Sequence, residues 1–458
     1  MTEQASTERL DRSTVLALVA MCLGVFVVAN DFTALSVAVV QIEDDLGTSL
    51  NRVQWVINAY TVVFGVLIVT GGRLADMFGR RLVFLIGAAV FGLFSLLGGL
   101  TDDIGLLIGA RAVMGVGAAM MWPSVLGMMY EILPEARASL AGGLVIGVAG
   151  LGNALGPLTA GVLTDTVGWR CVFFVNVPVA LVAIVVTLWA VPRSTTGGRQ
   201  RVDYLGIATL SAAVILLLVG LDTGTTVGFD DPGVIATIVV GALLLPVFVV
   251  VQRRMGDDAL VPRRITRSRR FTASVVSVVP MAAVLFGALV YVPQYTEKVL
   301  GWDALAAGAG LLPMMLVFAL VSLAATTLYD RLGARPVVGA GAVCLALGAV
   351  WLAATIGSGY AVLVPGLLTI GVGIGLYFSA LTTVAVTAVA DSDASLAGGV
   401  VYMANIAAGS LWIGANTAVV LASADFAEGI RRAFVLDASL GVVGAAIAVL
   451  ALRGDEPA

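Results

Sequence analysis

The sequence predicts an all-α integral membrane protein in which two six-helix bundles, related by an internal repeat, flank two inserted helices. Three observations carry this expectation. Of 458 residues, 60% are hydrophobic and only 12% charged, against about 45–50% apolar and about 25% charged in soluble domains. Fourteen apolar runs, each close to the roughly 20 residues that cross a bilayer, follow one another along the chain. A hexapeptide also returns unchanged 256 residues after its first appearance.

In order, the apolar runs predict helices at 14–38, 52–71, 82–100, 104–128, 138–163, 169–191, 203–221, 233–252, 271–294, 304–327, 336–355, 360–386, 394–421 and 432–452. The leader Met1–Ser13 carries three acidic residues, and further apolar runs follow quickly, so the first run is retained as a span and not as a cleaved signal. The expected domains are an N-terminal six-helix bundle at 14–191, two inserted transmembrane helices at 203–252, a cytoplasmic basic linker at 253–270 and a C-terminal six-helix bundle at 271–452.

Orientation follows from the basic residues, which cytoplasmic loops retain. With the N-terminus inside, nineteen lie in inner loops and tails, and five (Arg52, Arg170, Lys298, Arg431 and Arg432) lie outside. Both termini are therefore expected in the cytoplasm, and the linker at 253–270 is expected to fix topology and meet anionic lipid. Twenty-four arginines against one lysine are associated with a GC-rich bacterial genome, hence with a bacterial cytoplasmic membrane.

Several chemistries are excluded by composition. The net charge is −4 and the basic residues form no patch, so nucleic acid is not an expected partner. There is no histidine, which leaves proton chemistry to carboxylates. The single lysine, Lys298, precedes Val299, so no GxxxxGK[ST] phosphate loop exists. Cys22, Cys171 and Cys344 are isolated and read as packing residues; no metal site or cofactor is expected. Without a Ser/His, metal or nucleotide constellation, an enzyme is not expected. No oligomer is specified, and a monomer is assumed.

The repeat pairs Ala138–Gly143 with Ala394–Gly399, the stretch from Leu74 to Arg81 with that from Leu328 to Arg335, and Gly115-Val116-Gly117 with Gly371-Val372-Gly373. Predicted helices two to five thus correspond to ten to thirteen. Parallel halves suit alternating access, with a substrate site near the midplane; an inherited packing solution is the alternative.

The stretch from Gly72 through Asp76, Gly79, Arg80 and Arg81 resembles the signature loop of the major facilitator superfamily. Four further segments resemble its fourteen-helix drug:proton antiporter branch: Arg111 with Gly115, Gly117 and Ala118; Gly152 to Pro157 with Gly161; Trp169-Arg170 with Phe174, Asn176, Val177 and Pro178; and Asp203 to Gly206. Helix one fits at Asp31, Thr33, Val37, Ala38 and Ile42 but departs at Asn30, Ser36 and Val40, and Ala160 replaces a common glycine.

The resemblance implies an efflux antiporter that exchanges protons for amphipathic lipophilic compounds, cationic or neutral. The alternatives are a dedicated exporter of one metabolite, lipid or antibiotic, and a non-transporting membrane sensor. It also implies that Gly72, Asp76, Gly79, Arg80 and Arg81, with Asp330 and Arg335 in the repeat, form an inner latch, although arginines there could serve only as topology anchors. Gly152, Gly156 and Pro157 are candidates for gating or for close helix packing. Trp122, Tyr377, Tyr402 and Trp412 are candidates for a substrate cavity, as against lipid or core contacts.

Asp31 and Arg111 are the charges set deepest in predicted spans, about 10 Å below the outer surface. Such groups face cavities or each other and mark ion pathways, so they are the expected proton-coupling pair; a static ion pair is the alternative. Asp222 and Asp437 are the next carboxylates to consider.

Overall fold

A computed structural model describes residues 11–132, 138–192, 202–390 and 393–451. Most of the leader, Arg137, the stretch holding Arg193, Arg199 and Arg201, and Arg453 lie outside them, and so do the charges they contribute to the orientation argument. Among the described residues there is no strand. Apolar sequence satisfies its own backbone as helix, which is what a chain surrounded by hydrocarbon requires.

The helices are α1 (Arg12–Asp45), α2 (Leu50–Phe78), α3 (Arg80–Leu100), α4 (Ile104–Ile132), α5 (Ala138–Thr166), α6 (Arg170–Phe174), α7 (Asn176–Ala190), α8 (Tyr204–Val227), α9 (Pro232–Met255), α10 (Arg263–Thr266), α11 (Arg269–Lys298), α12 (Ala304–Ala309), α13 (Leu312–Leu332), α14 (Ala334–Thr355), α15 (Tyr360–Thr387), α16 (Ala394–Leu421) and α17 (Phe426–Ala451). Among the described residues, twelve helical segments are long and apolar enough to cross a membrane. The chain is a multi-pass membrane protein. The end of the helices at which α1 begins is called the N-terminal face below, and the opposite end the far face.

Two predicted single helices each lose hydrogen bonds at one point while the backbone there stays helical, with Val175 at φ −64° and ψ −27° and Gly310 at φ −61° and ψ −20°. The run at 169–191 divides into α6 and α7 around Val175, and the run at 304–327 divides into α12 and α13 around Gly310 and Leu311. In each, a proline lies just beyond that point, Pro178 and Pro313, and lacks the N–H that would bond four residues back across it. Helix α1 also runs seven residues past its predicted end, to Asp45. Asp31 therefore lies roughly 20 Å from that end of the helix, not about 10 Å. Polar caps set other starts: Asp203, Asp231, Ser268 and Asp303 accept from the first turns of α8, α9, α11 and α12.

The sequence repeat is visible as a repeat of contacts. α4 packs on α2 and α3, while α15 packs on α13 and α14. A Cβ on Gly115 would meet the Tyr60 carbonyl of α2, and one on Gly371 would meet the Met314 carbonyl of α13. Gly117 lies against the Gly87 carbonyl of α3, and its counterpart Gly373 against the Gly341 carbonyl of α14. The turns from α2 to α3 and from α13 to α14 both pivot on a glycine at positive φ, Gly79 at 93° and Gly333 at 80°.

α8 and α9 pack on each other, and α8 also touches α2 and α16. The outward residues of α9, such as Val239, Val240, Leu243 and Val250, are exposed apolar surface suited to lipid.

Candidate functional site

α1, α2, α4 and α7 meet around one buried ion pair. An Arg111 terminal nitrogen donates to Asp31 Oδ2 at 2.5 Å, and the two side chains are 1% and 0% exposed. Nε of Arg111 donates to the Val56 carbonyl at 3.0 Å, and the guanidinium lies 4.2 Å from the centre of the Tyr60 ring. The second Asp31 oxygen accepts from Asn176 Nδ2 at 2.8 Å; Asn176 also donates to Ser95 Oγ at 3.1 Å. Ser95 in turn donates to the Phe173 carbonyl at 2.8 Å. Both charges thus have hydrogen bonds beyond their mutual contact, which a buried pair needs to offset desolvation.

Sequence reasoning brought Asp31 and Arg111 forward and left out Tyr60, Ser95 and Asn176 as their partners. An uncharged polar side chain in an apolar run carries a weaker signal than a charge. Asn176 is the first residue of α7.

The signature loop fastens helices on the N-terminal face. Asp76 pairs with Arg80 at 3.3 Å, and Arg80 also donates to the Gly127 carbonyl of α4 at 2.9 Å. Arg81 donates to the Leu188 carbonyl of α7 at 2.8 Å. Asp330 and Arg335, their counterparts in the repeat, are exposed and form no ion pair among the described residues. Gly72 lies at ordinary contact distance from Pro123; the tight approach belongs to Gly71, whose Cβ would fall 1.9 Å from the Ala119 carbonyl oxygen.

The loop also reaches the linker. Arg73 donates to the carbonyls of Asp258 and Ala259, and Asp203 accepts from Gln252 and from the Leu260 amide at 2.7 and 2.8 Å. Arg264 forms a two-point contact with Asp393, which holds the guanidinium above its ordinary pKa. The segment between α9 and α11 is thus joined to α2 and to the start of α16.

Helix α5 is wedged between α1 and α12. Gly152 and Gly156 admit α1 so closely that a Cβ on Gly156 would meet Thr33 Oγ1, and Thr33 donates to the Asn153 carbonyl at 3.0 Å. The Pro157 carbonyl lies against Gly308 of α12, and Gly161 against the Ala304 carbonyl.

The four cavity candidates separate. Trp122 of α4 and Tyr402 of α16 stack with ring centres 5.1 Å apart and planes 12° apart, with Phe64 against both. Tyr377 is buried elsewhere and donates to the Ser277 carbonyl at 2.8 Å. Trp412 donates to Asp437 Oδ1 at 2.7 Å. Among the described residues no group of three or more Cys, Asp or Glu is arranged to hold a metal.

The sequence pattern of the Major Facilitator Superfamily matches residues 21–413. The chain is 33% identical over 418 residues to the puromycin resistance protein pur8 of Streptomyces alboniger, covering 90% of this chain and 82% of that one. It is 36% identical over 396 residues to the cephamycin export protein CmcT of Amycolatopsis lactamdurans, covering 84% and 80%. Among solved structures, that of an auto-inhibited POT family peptide transporter matches with a TM-score of 0.72 at 15% identity, covering 98% of each chain, which is a likeness of fold.

Proposed function

The chain belongs to the major facilitator superfamily, and from that premise we propose that it is a proton-coupled efflux antiporter of the fourteen-helix branch. It exports amphipathic lipophilic compounds, cationic or neutral, across the cytoplasmic membrane by alternating access, with both termini and the N-terminal face in the cytoplasm. In this reading 14–191 and 271–452 are the two bundles that rock against each other, 203–252 is the inserted pair, and the basic linker at 253–270 contacts lipid on the cytoplasmic side. α5 and α17 complete fourteen spans. Relatives named for antibiotic resistance and export support the efflux direction.

One observation carries the mechanism: the buried pair of Asp31 and Arg111, with Asn176 on the free carboxylate oxygen. Ionisable groups in a membrane span are expensive, and where they occur they mark ion pathways. Opening the halves changes the water and the partners around Asp31, so the carboxylate can take a proton in one state and return to Arg111 in the other. The signature loop and its arginines form the cytoplasmic latch, and the stacked Trp122 and Tyr402, on helices of opposite halves, border the substrate path.

Purified protein in liposomes tests this with puromycin, a cephamycin and the lipophilic cation tetraphenylphosphonium. A proton gradient should drive uphill export, and Asp31→Asn should abolish it while substrate binding persists. Export that survives collapse of the gradient would overturn the coupling. The cephamycin export protein among the relatives favours a second reading, dedicated export of one antibiotic; transport of a single member of the panel would select it.

A further inference from the structure

A second carboxylate is buried in the other half of the molecule, in different company. Asp437 of α17 is 0% exposed. Its Oδ1 accepts from Trp412 Nε1 at 2.7 Å and from Asn416 Nδ2 at 3.2 Å, and its Oδ2 lies 3.3 Å from the same Asn416 nitrogen. The α11 backbone makes room for it at Gly287, where a Cβ would fall 2.3 Å from Oδ2. No arginine or lysine pairs with it among the described residues.

The surrounding elements supply no compensating charge either. α11 offers Tyr291, one turn beyond Gly287; α16 offers Trp412, Asn416 and Thr417; α14 has no titratable side chain between Cys344 and its end at Thr355. The charges of α17 itself, Glu428, Arg431 and Arg432, lie toward the far face, where they pair with one another. Neutral donors orient a carboxylate but leave its charge uncompensated in a low-dielectric site, so proton uptake is the available relief.

Polar side chains continue from its partner Asn416 toward the far face, beginning with the next residue, Thr417. Tyr291 OH meets Thr417 Oγ1 at 2.6 Å, and Thr417 lines a small pocket of about 10 Å³ with Asn51, Gln54, Asn58, Asp222 and Thr225. Both polar atoms of the Gln54 amide, Asn58 Oδ1 and Asn416 Oδ1 are buried without a partner in the described protein. Such a pocket, lined by unpaired polar atoms, suits water.

We propose that Asp437 is a second proton-binding site, served from the far face through the pocket beside Asp222 and the hydroxyls of Thr417 and Tyr291. Its part in transport rests on the proton-coupled reading above. Infrared difference spectra of the purified protein in lipid, titrated with pH in the absence of any transported compound, test it. Wild type should show a carboxylic C=O band that titrates; Asp437→Asn should remove it, Asp31→Asn should leave it, and Trp412→Phe, which removes the closest donor, should shift it.

A titrating band unchanged by Asp437→Asn and Trp412→Phe would overturn the proposal. Loss of tetraphenylphosphonium binding in Asp437→Asn with an unchanged band would also overturn it, making the residue an anchor for organic cations. Gradient-driven puromycin export is measured on the same preparations. A wild type indifferent to the gradient sinks the antiport reading, while the band alone decides whether Asp437 binds a proton.

Discussion

Each oxygen of Asp31 has its own donor, Arg111 on one and Asn176 on the other, while Arg111 spends Nε on the Val56 carbonyl and lays its face on Tyr60. A lysine cannot reproduce this. Its ammonium is a single point, without a planar fork to reach a carboxylate and a carbonyl on different helices or to stack on a ring. Arg111→Lys should therefore lower uphill export about tenfold or more, the loss expected from charged hydrogen bonds of about 1.5–3 kcal/mol. Asn176→Ala should do the same with the charge pair intact. Export rates in liposomes, read beside thermal stability, check both, and wild-type rates in either variant would reduce the cluster to packing. Both charges are legible in the sequence because a charge in an apolar run has few explanations. Asn176 is not, because an amide in such a run has many, and its partner lies 145 residues away in the chain.

At the scale of the helix, two adjacent glycines in α2 differ in what they carry. Gly72 opens the signature loop, yet the distance to Pro123 leaves room for a methyl group, while Gly71 lies against the α4 backbone at Ala119. Gly72→Ala should leave folding near wild type. Gly71→Ala must push α2 off α4, at a cost of about 1–3 kcal/mol for overpacking. Thermal unfolding in detergent separates the two, and equal midpoints would mean that the α2–α4 contact yields easily. The helices are legible as apolar runs, and their equivalence as a recurring hexapeptide and glycine pairs that the contacts of α4 and α15 repeat. What the apolar pattern does not carry is the interruption of a run. Hydropathy is indifferent to a proline such as Pro178 or Pro313, although each removes a hydrogen bond from its helix. The linker is also more specific than its charge suggests: Arg73 and Asp203 hold its backbone, contacts between side chain and main chain that no spacing announces.

Across the whole molecule, the two halves meet at the far face through contacts that are individually weak. Lys298 of α11 pairs with Glu43 of α1 at 2.5 Å, with the two side chains 25% and 22% exposed. Asp165 of α5 accepts from the Ala304 and Leu305 amides at 3.1 and 2.6 Å. Deeper in, Phe32 meets Phe286 edge-on and Ser410 donates to Thr61. An exposed ion pair contributes about 0–1 kcal/mol, so losing one biases the closed far face by no more than about fivefold. That is the scale a transporter needs if this face is to open in every cycle, since closure worth several kcal/mol more would trap one state. Glu43→Gln should then expose a cysteine placed at Phe286 to labelling from that face somewhat more, without loss of export. Cysteines at Glu43 and Lys298, in a background lacking Cys22, Cys171 and Cys344, should stop export when bridged and restore it when reduced. A bridged protein that exports at the unbridged rate would mean that the far face does not open, and alternating access between these halves would be wrong.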